Sequence, residues 1–246
     1  MALQIDTANE VRRLRPTANG ENFRGRDTRI SPYGDRTNYQ LPRTALADEG
    51  SYYTCTNPTI DTTVAYGVLA AFATTTPMFL ISNTDPVGGR SIFLDYIKLR
   101  VTIAPASATN WKYVVEMDNS IRTSTAPTGG VSRTILNTNP LVSNDFAGTV
   151  WAFTGGTVLT VMAAANARII AHGALAQSIP IVLDELVLQF GRDDSATVSV
   201  TTVGRRLASA PPVVIPPGCS CAIHQYGLSN AITGMSAEYS IGMWQR

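Results

Sequence analysis

Charge is what this chain has least of. Only 15 % of its 246 residues are Asp, Glu, Lys or Arg, against about 25 % in ordinary soluble domains. So bare a surface is expected to be covered in use, and copies of the same chain are the simplest cover. Cysteines number three, Cys55, Cys219 and Cys221, too few for a disulfide framework in a chain of this length. On a strand Cys219 and Cys221 would stand about 7 Å apart, beyond easy bridging, so folding in a reducing cytosol is expected. Histidines number two. Long Glu/Lys/Leu-rich helical stretches are missing, as are an apolar secretory core in "MALQIDTANEVRRLRP" and any Asn-X-Ser/Thr sequon, since Pro58 follows Asn57. The most apolar window, Val64 to Ile81, is interrupted by Thr74, Thr75, Thr76 and Pro77 and will not span a bilayer.

What is present is strand and turn chemistry. Hydrophobic residues make up 44 %, enough to bury a sizeable core, and the reading favours one large β domain. In "SIFLDYIKLRVTI" the residues Ile97, Leu99, Val101 and Ile103 alternate with Lys98, Arg100 and Thr102, a period of two that puts four branched side chains on one face. Upstream the phase reverses, with Ile92, Leu94 and Tyr96 apolar and Asp95 polar, which predicts a bulge or bend near Tyr96–Ile97. Further runs fall at Val64–Ala73, Met78–Ser82, Trp111–Met117, Thr157–Ala163, Arg168–Ala171, Ile179–Phe190, Thr197–Val203, Cys219–Tyr226 and Ala237–Gln245. Turns are expected at "NTDPVGG", "APTGG", "FTGG", "GRDDS" and "APPVVIPPG". About eight secure runs predict an all-β fold, a two-sheet antiparallel jelly-roll sandwich. Helix remains the rival over residues 161–178 and, with less weight, over 64–73. "PIVLDELVLQF" is apolar on both faces, so Ile181, Leu183, Leu186, Leu188 and Phe190 are expected to face a sister subunit.

Residues 1–50 differ from the rest. They are polar, carry Pro16, Pro32 and Pro42, and space their apolar residues singly. Between Arg12 and Arg43 eight arginines stand against three acids, a balance of +5, whereas residues 51–246 carry eleven charges of each sign. Such a segment cannot bury enough surface to order alone. It reads either as a loose tail or as an extended arm that docks through Phe23, Arg24, Arg26, Arg29, Ile30, Tyr33, Arg36 and Tyr39. Nucleic acid is a weak candidate partner, because acids interrupt the arginines and basic–aromatic interleaving is missing.

One stretch looks like chemistry: "PPGCSCAIHQYG". On a strand, Cys219, Cys221 and Ile223 take one face while Ser220, Ala222, His224 and Tyr226 take the other, so thiols and imidazole diverge. Structural zinc needs four converging ligands, and no second short-spaced pair exists; the cysteines read as small core residues. A Ser–His–Asp relay would need His172 or His224, neither in a recognisable context. Paired carboxylates for sugar cleavage remain open among Asp118, Asp184, Glu185 and Glu238. A carbohydrate-binding sandwich is the other alternative, with Trp111, Trp151, Tyr113 or Tyr226 as a stacking platform. No cofactor motif is present.

The succession "TTPMFLISNTDPVGGRSIFLDYIKLRVTIAPA", "VVEMDN", "PPVVIPPGCSCAIHQYG" and "AEYSIGMWQR" resembles the jelly-roll virion structural proteins of tailed bacteriophages. The likeness spans about Val64 to Arg246 and leaves out the arm. It implies a non-enzymatic role in the particle, as a capsid decoration or cement protein or a tail or adaptor component. The partners would be the major capsid protein or other virion proteins and sister copies, with a trimer as the expected oligomer, and the place of action the virion. It transfers no catalytic residues.

Overall fold

The structure is a computed structural model. It describes residues 27–30, 36–39, 42–57, 64–65, 71–106, 110–122, 127, 129–153, 167–176, 180–191, 205–228 and 234–246. The chain divides into two compact units with the boundary between Asp48 and Glu49. In the first, β1 (Asp27–Ile30) and β2 (Arg36–Tyr39) form a two-stranded antiparallel ribbon that aligns Ile30 with Arg36 and Arg29 with Thr37. A short helix, α1 (Pro42–Asp48), follows; Pro42 opens it, where a fixed φ and a missing N–H do no harm. The expected extended arm therefore contains regular structure where it is described. Phe23, Arg24, Arg26 and Tyr33 lie outside the described residues.

The second unit is all-β and built of two open sheets. The larger runs in the order β13 (Arg205–Ala210), β12 (Glu185–Phe190), β6 (Ile92–Ile103), β16 (Ser236–Gln245), β3 (Tyr52–Thr56) and β9 (Ile135–Asn137), with β14 (Val213–Ile215) paired to β6 and β4 (Val64–Ala65) to β16. The other runs β11 (Arg168–Ala176), β7 (Asn110–Asp118), β15 (Ser220–Leu228), β5 (Phe79–Asn83), β10 (Gly148–Phe153) and β8 (Gly130–Arg133). Among the described residues one pair departs from the antiparallel expectation: β12 and β13 are parallel. The residues between them, 191–204, supply the dozen or more that such a crossover needs.

Alternation explains which side chains fill the space between the sheets. Ile97, Leu99, Leu186, Leu188, Tyr239 and Ile241 from one sheet meet Phe79, Ile81, Trp111, Val115, Cys221 and Ile223 from the other in one continuous core. Burying each large apolar side chain contributes about 1.5–3 kcal/mol before entropy is subtracted. The phase reversal in β6 is a bulge at Asp95, because Gly242 pairs with Tyr96 while Met243 pairs with Leu94. It lies one residue upstream of the expected position. A second irregularity at Thr102 accompanies the loss of Ile103 from the core, so three branched residues of the run are buried rather than four, and Ile103 is half exposed.

The run expected at Arg168–Ala171 is strand, and two further expectations change. Residues 168–176 are strand, as are Val64 and Ala65; residues 161–166, 177–178 and 66–70 lie outside the described residues, as do 157–163 and 197–203. "PPVVIPP" was expected to be turn throughout, yet Val213–Ile215 pairs with β6; prolines at its flanks suit a three-residue strand. The two-sided strand begins only at Glu185. Its residues Leu186, Leu188 and Phe190 belong to the chain's own core, so the facing sheet covers them and they do not face a sister subunit.

Candidate functional site

The cysteines and the histidine diverge on β15. Cys221 is fully buried among core residues, and burial pushes its thiol up to about 12. Burial drives Cys55 to about 12 as well. Cys219 precedes the strand and packs against the core edge. His224 points to the opposite face, where the Phe72 ring meets it edge-on at 5.1 Å. No group of three or more His, Cys, Asp or Glu able to hold a metal occurs among the described residues.

That opposite face holds a buried ionic cluster. Pairing of β7 with β15 aligns Val114 with His224, Glu116 with Ala222 and Asp118 with Ser220. The two-residue spacing of Glu116 and Asp118 sends both carboxylates to the side His224 occupies. Arg122 returns after the turn and contacts Glu116 Oε2 through Nη2, while its Nε donates to Asp118 Oδ2 at 3.3 Å. His224 Nε2 stands 3.3 Å from Glu116 Oε2. Asp118 Oδ1 also accepts from the Ser120 amide and hydroxyl. Arg122 Nη1 donates to the Thr74 carbonyl at 3.1 Å, which fastens residues 71–77 over the face. All four charged or titratable members are 1–2 % exposed.

Burial pushes the Glu116 carboxyl up, but the His224 contact and the Arg122 charge outweigh it and hold it below 4.5. Carboxylate beside imidazole is raw material for acid–base catalysis, which requires reach to a substrate proton. Here both are sealed under the strap, Arg122 neutralises the carboxylate, and the ion contacts are poorly aligned as hydrogen bonds, since Glu116 Oε2 and both His224 nitrogens lack one. The arrangement can hold a strap to a sheet; it offers no opening to a substrate.

On the outer face of the larger sheet an open hollow of about 360 Å³ is lined by Thr56, Asn57, Lys98, Arg100, Glu185, Glu238, Tyr239 and Ser240. Register places Glu185 and Glu238 on either side of Arg100. Lys98 Nζ lies 3.2 Å from Glu185 Oε1 and Arg100 Nη1 3.5 Å from Glu238 Oε2. Each carboxylate thus faces a cation across strands, a solvated ladder whose pairs contribute about 0–1 kcal/mol each. The other two candidate carboxylates stand elsewhere: Asp118 in the buried cluster, and Asp184 in a turn, where its Oδ2 accepts from the Ile181 amide at 3.0 Å.

Comparison with protein families, with curated proteins and with solved structures finds no match to this chain. The reading therefore rests on the sequence together with the geometry. The geometry removes half of the aromatic platform, because Trp111 is fully buried and Tyr113 is buried with its hydroxyl on the Ser209 carbonyl at 3.0 Å. Trp151 flanks a small cluster of Leu80, Phe153 and Ala222, and Tyr226 lies near Phe72, both half-buried. Arg29, Ile30, Arg36 and Tyr39 share the N-terminal ribbon. Of the expected interface, Ile181 and Leu183 stay exposed, in the turn before β12. Missed altogether was the Glu116–Arg122–His224 cluster; its signal was two acids alternating with apolar residues in "VVEMDN".

Proposed function

We propose that this chain is a non-enzymatic structural protein of a phage particle, a jelly roll that self-associates and docks through residues 1–48. The observation that carries the reading is strand order. Taken in chain order, β3, β5, β6, β7, β11, β12, β15 and β16 supply the runs β3-β16-β6-β12 and β5-β15-β7-β11 within the two sheets. First strand lies beside last, and each neighbouring pair within these runs is antiparallel. That is the order produced by folding one long hairpin into two Greek keys, an architecture shared by viral capsid and lectin domains. Of the other strands in this unit, β13 and β9 extend the edges of one sheet and β10 and β8 an edge of the other, while β14 and β4 pair with β6 and β16. Fold alone does not fix function; the sparse charge and the resemblance over Val64–Arg246 turn the reading toward the particle.

The test is deletion of residues 1–48 in a phage that makes this protein. Full-length chain is expected to co-purify with particles and the truncated chain to be lost from them while folding normally. Truncated protein at full occupancy would overturn the docking role, and absence of full-length chain from particles would overturn the virion assignment.

A further inference from the structure

We infer that the hollow on the outer face of the larger sheet binds a neutral oligosaccharide, with the ring of Tyr96 as its stacking wall. At about 360 Å³ it falls at the small end of the range that ligand sites occupy, roughly 300–1,000 Å³. Two rows of side chains form its floor. Register sets Glu185, Arg100 and Glu238 side by side across β12, β6 and β16, and Lys98, Ser240 and Thr56 side by side across β6, β16 and β3.

The charges in these rows select the ligand. Lys98 and Arg100 balance Glu185 and Glu238, so the lining carries no net charge to draw in an ion. A free anion would have to displace the carboxylate that already faces each cation, at 3.2 Å for Lys98 and 3.5 Å for Arg100, and a free cation meets the same obstacle in reverse. Hydroxyl groups meet none. An ammonium has three N–H donors and a guanidinium five, so each cation keeps donors after its charge is answered, and Ser240 and Thr56 add hydroxyls. Sugar hydroxyls, which both donate and accept, match such a lining without breaking a pair. The floor is also held in place: pairing restrains the long side chains, and Asn57 at the rim accepts the Tyr239 amide through Oδ1 at 2.7 Å. Groups fixed before binding lose little freedom on it.

Beside the polar rows the sheet offers an aromatic surface. Tyr96 precedes Lys98 by two residues and so shares its face. Its partner on β16 is Gly242, and the ring leans into the space left there, where a Cβ would collide with it. The Tyr96 hydroxyl lies 3.3 Å from Ser240 Oγ, which joins ring to hollow. A half-buried ring leaned over a glycine keeps a face for the C–H side of a sugar while its hydroxyl stays among polar groups. Tyr96, rather than buried Trp111 or Tyr113, thus supplies the stacking ring. At about 3.3 Å per residue, Tyr96 to Arg100 covers roughly 13 Å, longer than a single sugar ring.

The experiment exposes full-length chain to a printed array of neutral and uronate-bearing oligosaccharides and titrates the strongest neutral binder by calorimetry. Wild type is expected to bind neutral chains with an affinity that changes less than about twofold between roughly 0.05 and 0.5 M salt, since no net charge is screened. Lys98→Met with Arg100→Met should weaken binding about tenfold or more through lost hydrogen bonds. Tyr96→Leu, which keeps an apolar cover over Gly242, should weaken it about three- to tenfold. Exposed ion pairs add little to folding, so the double variant should keep its urea midpoint, which separates binding from folding. Binding of uronate-bearing chains alone, or an affinity that falls steeply with salt, overturns the neutral class. No binding at all, or full affinity in both variants, overturns the site. None of these results bears on the virion reading, which the content of particles tests.

Discussion

Among single residues, Glu116 has the most to lose. It is 2 % exposed and shares its Oε2 with Arg122 and His224. A buried ion pair gains little over an apolar replacement of both partners, but removing one partner strands the other and costs about 3–5 kcal/mol. Asp118 still holds Arg122 Nε, so Glu116→Gln should fall at or below the low end of that range. The pH dependence follows from the depressed carboxyl. Because the folded value lies below the unfolded one, the stabilisation is full above about 4.5 and is lost as pH falls through 4.5 and then through the folded value. Urea midpoints measured from neutral pH down to about 3 should therefore drop more steeply in wild type than in Glu116→Gln. Parallel acid limbs would show that this carboxylate does not drive acid unfolding.

For elements, strand β6 sets the register of the larger sheet, and its bulge at Asp95 is answered by a glycine on β16. A Cβ on Gly242 would collide with the Tyr96 ring and the Tyr52 hydroxyl. That hydroxyl is engaged, donating to buried Asp95 Oδ2 at 2.6 Å, so it cannot move aside without stranding a carboxylate. Gly242→Ala is thus expected to destabilise by about 1–3 kcal/mol, the usual cost of overpacking, and Tyr96→Leu in the same chain should recover part of the loss. Chemical denaturation of the two variants checks both; an unchanged midpoint for Gly242→Ala would mean the bulge yields freely. The bulge was legible in sequence because a phase reversal between Leu94 and Ile97 leaves no other way to keep both on one face. Long runs such as those of β7, β15 and β16 were legible for the same reason. Strands of three to six residues, β3, β8, β9, β10 and β13 among them, span too few periods to show one. The parity of Cys221 and His224 could be read, since it depends only on spacing. Glu116 beside His224 could not, because it depends on which strands pair and in what register. Leu186, Leu188 and Phe190 show the same limit: sequence reveals that a strand is covered on both sides without saying by what.

Over the whole molecule, the boundary at Asp48/Glu49 decides what can be cut away. Every member of the main core cluster lies between Tyr53 and Met243, so none is lost with the first unit. The cut also spares five hydrogen bonds just beyond it: the Gly50 carbonyl accepts from Asn137 Nδ2 at 2.7 Å, the Ser51 carbonyl from the Gln245 amide at 3.1 Å, the Tyr52 carbonyl from the Thr138 amide and hydroxyl, both at 3.0 Å, and the Tyr52 hydroxyl donates to Asp95. A fragment of residues 49–246 should therefore fold cooperatively with a midpoint close to that of the full chain. A fragment of 53–246 loses all five and should be weaker by about 3–8 kcal/mol, at roughly 0.5–1.5 per hydrogen bond with more for the carboxylate. Thiols report the outcome directly. Cys55 and Cys221 are fully buried and pushed up to about 12, hence poor nucleophiles until exposed. In native 49–246 a thiol reagent should modify Cys219 first and the other two only as the fragment unfolds. Rapid labelling of all three in 49–246, with slow labelling in the full chain, would mean that residues 1–48 are part of the fold rather than an attachment to it.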